Sequence, residues 1–243
     1  MFAIYLKELN AFFSSLIGYL TMGVFLLVMG LFVWVFPDTS VLSYEYATLD
    51  YFFSTAPWIL IFLVPAITMR SLAEERHSGT MELLVTRPLS DWQIVMGKFF
   101  AAFTLIAICI LPTLIYFFSV YQLGAEVGNI DTGATVGSYI GLMLLAGAFV
   151  AIGLFTSSIT SNQIVAFLAG VFLCFFFFAA FDFLSRLDVF FAKVDDVVEN
   201  IGILSHYTSI SRGVIDTRDL VYFFTFSGFF LLLAKIAMER RKF

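Results

Sequence analysis

Residues 52–69 read FFSTAPWILIFLVPAITM, residues 70–98 read RSLAEERHSGTMELLVTRPLSDWQIVMGK, and residues 99–120 read FFAAFTLIAICILPTLIYFFSV. Two apolar runs, each close to the roughly 20 residues that a helix needs to cross a bilayer, enclose the most polar stretch of the chain. That alternation predicts two crossings joined on one side of a membrane. Working outward, four more apolar segments occupy residues 16–36, 137–155, 164–184 and 220–238. The fold class read from this pattern is an all-α membrane protein with six transmembrane helices, because backbone groups in lipid are satisfied within a helix. Composition agrees: of 243 residues 61% are hydrophobic and 13% charged, with a mean hydropathy of +0.98. Soluble domains are about 45–50% apolar and about 25% charged. One domain over residues 1–243 is expected.

Loop charge sets the orientation. With both termini inside, nine Lys and Arg residues lie on the inner side, among them Lys7, Arg70, Arg76, Arg87 and Lys98. Four lie outside: Arg186, Lys193, Arg212 and Arg218. The acids divide six inside and twelve outside. This bias follows the positive-inside rule and predicts an N-in, C-in topology. Residues 16–36 are longer than the apolar core of a cleavable signal and no small-residue cleavage pattern follows them, so they read as a retained first span.

Two segments are amphipathic instead of spanning. At 100° per residue Phe2, Tyr5, Leu6, Leu9, Phe12 and Phe13 share one arc, while Lys7, Asn10 and Ser14 share the other. Residues 1–15 therefore predict a helix lying in the inner interface. In residues 187–201 an apolar stripe including Leu187, Phe190, Val194 and Val198 opposes Asp188, Asp195, Asp196 and Glu199. Residues 202–214 are moderately apolar and too short to cross. Residues 185–219 thus predict two short outer-side helices before the last span.

The polar stretch 70–98 reads as a folded elbow. Gly79 suits a turn, Pro88 breaks any helix, and Ser90-Asp91-Trp92-Gln93 has the capping-box pattern that opens the next helix. Topological anchoring explains Arg70 and Arg87 but explains Glu74 and Glu75 poorly, because acids contribute little to orientation. A charged, folded elbow on the inner face fits a docking surface for a soluble partner.

Several chemistries find no support. There is no GxxxxGK[ST]: Gly97-Lys98 lacks the upstream glycine and is followed by Phe99. Asp182 and Lys235 lie near span ends, and the span interiors carry no charged residue of the kind a proton- or sodium-coupled carrier uses. Ser157 and Ser158 have no intramembrane His to activate them. Cys109, Cys174, His77 and His206 show no metal-ligand spacing. A net charge of −5 with no basic stripe argues against nucleic acid. Gly137, Gly141, Gly147 and Gly153 read first as packing within one subunit, with a dimer contact second. The run 175–178 reads as packing or lipid-facing surface.

The run 70–90, RSLAEERHSGTMELLVTRPLS, resembles the first cytoplasmic loop of ABC-2-type transporter permeases. Residues 152–167, IGLFTSSITSNQIVAF, resemble the family's connection between the fourth and fifth spans, and residues 205–224, SHYTSISRGVIDTRDLVYFF, its outer segment and the start of its last span. These blocks fall in family order, and within the family the chain looks most like the gliding-motility-associated permease subunit. The resemblance implies six helices, an N-terminal elbow helix, and a coupling helix in loop 70–98 that docks on an ATPase. Carried over residue by residue, that ATPase-coupling segment is Glu74, Glu75, Arg76, Gly79, Thr80, Glu82, Leu83 and Leu84. Arg212, Gly213 and Asp216 match an outer gate or lid; a capped turn serves equally well for them.

The resemblance further implies a bacterial cytoplasmic (inner) membrane protein with two ATPase subunits, a second permease protomer, and a companion membrane protein carrying a large extracytoplasmic domain. No catalytic residue, cofactor or metal is expected in this chain; ATP and magnesium would belong to the partner ATPase. Two readings stay open at this point, a permease for cargo and a force-transmitting module that moves none. A secondary transporter is the weaker third.

Overall fold

Every regular element is helical in the computed structural model, which describes residues 1–43, 47–80, 90–124, 126–185, 200–214 and 216–240. Five helical runs are long and apolar enough to cross a membrane: Asp50–His77, Asp91–Leu123, Thr132–Ile159, Gln163–Ser185 and Thr217–Glu239. A sixth candidate is the bent pair Phe2–Phe13 and Gly18–Trp34, which turns by 70°. The six-span expectation fits this pattern when the bent pair is counted as one span.

Helix α1 (Phe2–Phe13) ends at Ser14, and Ser15 caps α2 (Leu16–Trp34) by accepting from the Gly18 N–H at 3.2 Å. The apolar arc of α1 is split by the bundle. Within it Leu9, Phe12 and Phe13 lean on the core, whereas Phe2 and Leu6 face outward, and Ile4, which lies off the predicted arc, is buried. An outward apolar face on a helix perpendicular to a span is what an interfacial position requires.

Helix α3 (Asp50–His77) runs unbroken well past residue 69, where the apolar run ends. The third span opens with the predicted capping box at Ser90 and Gln93, and consists of α4 (Asp91–Ile110), a 3-10 turn at Leu111–Thr113, and α5 (Leu114–Leu123). Pro112 lies in that turn and offers no N–H to the α-helical ladder, which accounts for the local tightening. Of stretch 70–98, residues 70–77 extend α3 and residues 91–98 begin α4, while residues 81–89 lie outside the described residues.

Helix α6 (Thr132–Ile159) is the axis of the bundle. Asp131 caps it, accepting from the Ala134 N–H at 3.0 Å, and its side chains from Leu142 to Leu154 are largely buried. It packs on α3, on the last span and on α4. The fifth span comprises α7 (Gln163–Phe175), a π-turn at Phe176–Ala180 and α8 (Phe181–Ser185). An outer helix α9 (Ile203–Ser211) precedes α10 (Thr217–Glu239). Of the amphipathic stretch 187–201 only Asn200 and Ile201 are described, and the rest lies outside the described residues.

The glycines of α6 face partners within the chain. A Cβ on Gly141 would meet Ile210 at 3.2 Å, one on Gly147 would meet Phe103 at 3.5 Å, and one on Gly153 would strike Thr68. On the outside, Phe62, Phe118, Leu168, Phe172 and Phe224 are more than half exposed. Such a rind suits a lipid solvent and would be anomalous in water.

Candidate functional site

At the end of the bundle that loop charge predicts to face inward, α3 ends in the segment singled out from the sequence. Arg76 and His77 occupy its last turn, where cations complement the helix dipole. The chain then turns at Gly79, whose φ of +70° is costly for residues with a Cβ. Ser78 Oγ donates to the Glu74 carbonyl at 2.8 Å and lies 2.9 Å from Thr80 Oγ1, so the serine satisfies one of the helix's last carbonyls. Glu74, His77, Ser78, Gly79 and Thr80 are exposed. Glu82, Leu83 and Leu84 lie outside the described residues.

Glu74 and Glu75, treated alike in the sequence, point in different directions. Glu75 is only 7% exposed. Its Oε1 receives Lys7 Nζ at 2.6 Å and its Oε2 lies 2.9 Å from Lys98 Nζ. Lys98 is almost wholly buried and also reaches Glu8 at 2.7 Å and the Ser71 carbonyl at 2.5 Å. The four charges link α1, α3 and α4. Two acids and two bases neutralise one another, which is the condition for burying charge. For Lys7 burial works against the ammonium, but the bond to Glu75 and the Glu75 and Glu8 charges outweigh it and raise its pKa above the ordinary 10.5.

Gly97 provides the space for this docking: a Cβ there would lie 3.1 Å from the Ile4 Cβ and 3.1 Å from the Met1 carbonyl. Lys7 and Lys98 count in the sequence only as topological charges, and Glu8 carries no motif. The available signal was the placement of Lys7 and Glu8 on a helix that must lie against two span ends bearing Glu75 and Lys98. Pairwise register between distant helices is needed to read it.

Two further links fasten the end of α3. Arg76 donates to the Ala237 carbonyl at 3.4 Å, joining it to the last turns of α10. The buried Ser157 hydroxyl, on α6, accepts from the Leu72 and Ala73 N–H groups and donates to the Met69 carbonyl, all at 3.0 Å. Ser157 thus takes part in the hydrogen-bond ladder of a neighbouring helix.

At the other end, Arg212 follows α9, and Gly213 has a φ of +85°. A Cβ on Gly213 would come within 2.9 Å of the Ala134 Cα, and one on Gly137 within 2.9 Å of the Gly213 Cα. Asp216 caps α10, accepting from the Arg218 N–H at 2.9 Å. These are the features of a tight capped turn packed on α6. Beside it His206 Nδ1 lies 2.7 Å from Asp219 and its Nε2 3.0 Å from the Asn200 carbonyl, with its ring stacked on Tyr222 at 3.9 Å. Tyr207 donates to the Phe53 carbonyl at 2.7 Å. The outer helix is thereby tied both to the start of α3 and to the last span.

Comparison with known proteins places this architecture. Over 129 residues, 51% of its length, the chain is 32% identical to a protein of Escherichia coli K12 described as a probable multidrug ABC transporter permease, YbhR, and equally to its counterpart in E. coli O157:H7. The match covers 33% of those permeases, so the chain spans about a third of the relatives it matches. The family model described as "ABC-2 family transporter protein" matches residues 35–238, from the end of α2 nearly to the end of α10. The chain is a multi-pass membrane protein that belongs to the ABC-2 transporter family.

Proposed function

We propose that this chain is the membrane permease subunit of an ATP-driven complex of the bacterial cytoplasmic membrane, and that a separate ATPase docks on the exposed turn from Glu74 to Thr80 and the connection after it, with Glu82, Leu83 and Leu84. The observation that carries this reading is the continuity of α3. One helix runs from Asp50, near the outer helix, to His77, beyond the inner end of its apolar run, and ends in an exposed polar turn. A push on that turn acts on a rod held by α6 through Ser157 and by α10 through Arg76. Glu75 belongs to the rod's anchorage, and Glu74 is the carboxylate that faces a partner. A second permease protomer completes the assembly, with ATP and magnesium held by the ATPase.

Affinity purification of the full chain in mild detergent, with quantitative mass spectrometry, tests the reading. A near-stoichiometric P-loop ATPase is expected, lost on Glu74→Arg while the permease itself stays folded. Undiminished ATPase recovery with Glu74→Arg would remove the docking assignment.

A second reading, force transmission without cargo, is favoured by one feature: Tyr207 and His206 tie the outer helix to the two spans whose inner ends meet at Arg76. It accommodates the gliding-associated resemblance and a companion with an extracytoplasmic domain. Recovery of such a companion with no ATP-dependent substrate flux in reconstituted vesicles would select it.

A further inference from the structure

Between α1, α3 and α4 lies a cavity of about 860 Å³. Its lining changes character along both spans. Ala66 and Ile67 on α3, with Ala102 and Leu105 on α4, line the deeper part, while Arg70 and Glu74 line the part toward the inner end. From residue 66 to residue 78 the α3 wall runs about 18 Å at the α-helical rise. A cavity that is apolar within the span and charged at the membrane surface has the polarity of a phospholipid.

Six charges border it. Lys7, Glu8, Glu75 and Lys98 are consumed in the ion cluster. Arg70 and Glu74 are not: neither side chain has an ion-pair or hydrogen-bond partner among the described residues, although they stand one turn apart on the same face. The Arg70 Nε is buried and has no acceptor. That unpartnered N–H marks the guanidinium as under-satisfied, and the donors a ligand in the cavity can reach are its terminal nitrogens, which are not among the buried unpartnered atoms. Arg70 offers the forked donor set that suits a phosphate, and the unpaired Glu74 carboxylate at the mouth would repel a purely anionic headgroup and receive an ammonium.

We propose that this cavity binds one aminophospholipid of the inner leaflet, its phosphate on Arg70, its ammonium toward Glu74, and the upper part of its chains against Ala66, Ile67, Ala102 and Leu105. The site shares Glu74 with the proposed docking turn but rests on Arg70 and the apolar depth, so it is tested without ATPase and fails or stands apart from that reading. Free inorganic phosphate shares the Arg70 chemistry but leaves the apolar depth unfilled, so the lipid is the occupant.

Native mass spectrometry of the full chain, without ATPase, in micelles doped with phosphatidylethanolamine or phosphatidylglycerol is the test. One phosphatidylethanolamine per chain is expected, retained about tenfold over phosphatidylglycerol, the factor that corresponds to one charge-assisted contact. Arg70→Gln is expected to abolish retention, and Arg70→Lys to restore it in part. Glu74→Gln, at an exposed position that leaves folding intact, is expected to keep the lipid and lose the preference. Equal retention of the two lipids by the wild type, full retention by Arg70→Gln, or displacement by millimolar inorganic phosphate would each overturn the proposal. If Arg70→Gln does not fold, the Glu74→Gln preference decides alone.

Discussion

Lys98 shows how a charged side chain at the edge of an apolar run can be buried as deeply as the hydrophobes around it. Its ammonium has three oxygen partners, on Glu8, Glu75 and Ser71, and no contact with water. Removing one member of such a cluster leaves charge buried and uncompensated, a change that costs roughly 3–5 kcal/mol in comparable sites. Lys98→Ala and Glu75→Ala are therefore expected to lower the thermal unfolding midpoint in detergent strongly. Glu74→Ala, one residue away but exposed, should stay within about 0.5 kcal/mol of wild type. Equal effects of the two glutamate variants would contradict the inward placement of Glu75. Lys7 adds a pH dependence of definite sign. Its pKa in the folded chain is raised above 10.5, so its contribution is fully present below that value and disappears as pH climbs through the raised one. A spin-label distance between positions 10 and 77 should hold constant below pH 10.5 and lengthen only above it, as α1 loses its grip on α3.

Among the elements, the turn between α9 and α10 and the turn after α3 both depend on a left-handed glycine, in different surroundings. Gly213 has a φ of +85° and no room for a Cβ against Ala134, whereas Gly79 has a φ of +70° and open space around it. Left-handed backbone costs a non-glycine residue about 1–2 kcal/mol. Gly79→Ala should lose about that much, and Gly213→Ala distinctly more, because α6 must also shift; thermal unfolding of the two variants side by side measures the difference. Elements like these were legible in the sequence to different degrees. The spans were, because a run of about 20 apolar residues has few alternatives in lipid, and so was the Ser90–Gln93 cap, because its signal is local. The extension of α3 through Glu74 and Glu75 was not. Polarity was read there as loop, yet a polar helix is stable when one face is anchored, as Glu75 and Arg76 are. The anchoring residues sit on α1, α4 and α10, separated from α3 by long stretches of chain, and no spacing rule within one segment reports on them.

Across the whole molecule, α3 is the one described helix that touches all the candidate machinery. Its start receives Tyr207 from the outer helix, its inner end carries the turn proposed for docking, and Ser157 grips it between the two. An ATPase-driven displacement of the turn is expected to reach the outer side with α3 and α6 moving as one body, held in register by Ser157. Without the Ser157 hydroxyl, Leu72 and Ala73 are left to bond within their own helix, and the contact that registers α3 against α6 is gone. Ser157→Ala should then cost about 1–3 kcal/mol as a buried hydrogen-bonding group and, more tellingly, separate binding from transmission. The variant is expected to recover as much ATPase as wild type. Labelling of a cysteine placed at the exposed Thr208, on the outer helix, should respond to ATP in the wild-type complex and stay constant in the variant. Glu74→Arg gives the opposite combination, with ATPase recovery itself lost. An ATP response at position 208 that survives Ser157→Ala would show that motion reaches the outer helix through α10 and Arg76, with α3 and α6 free to slide.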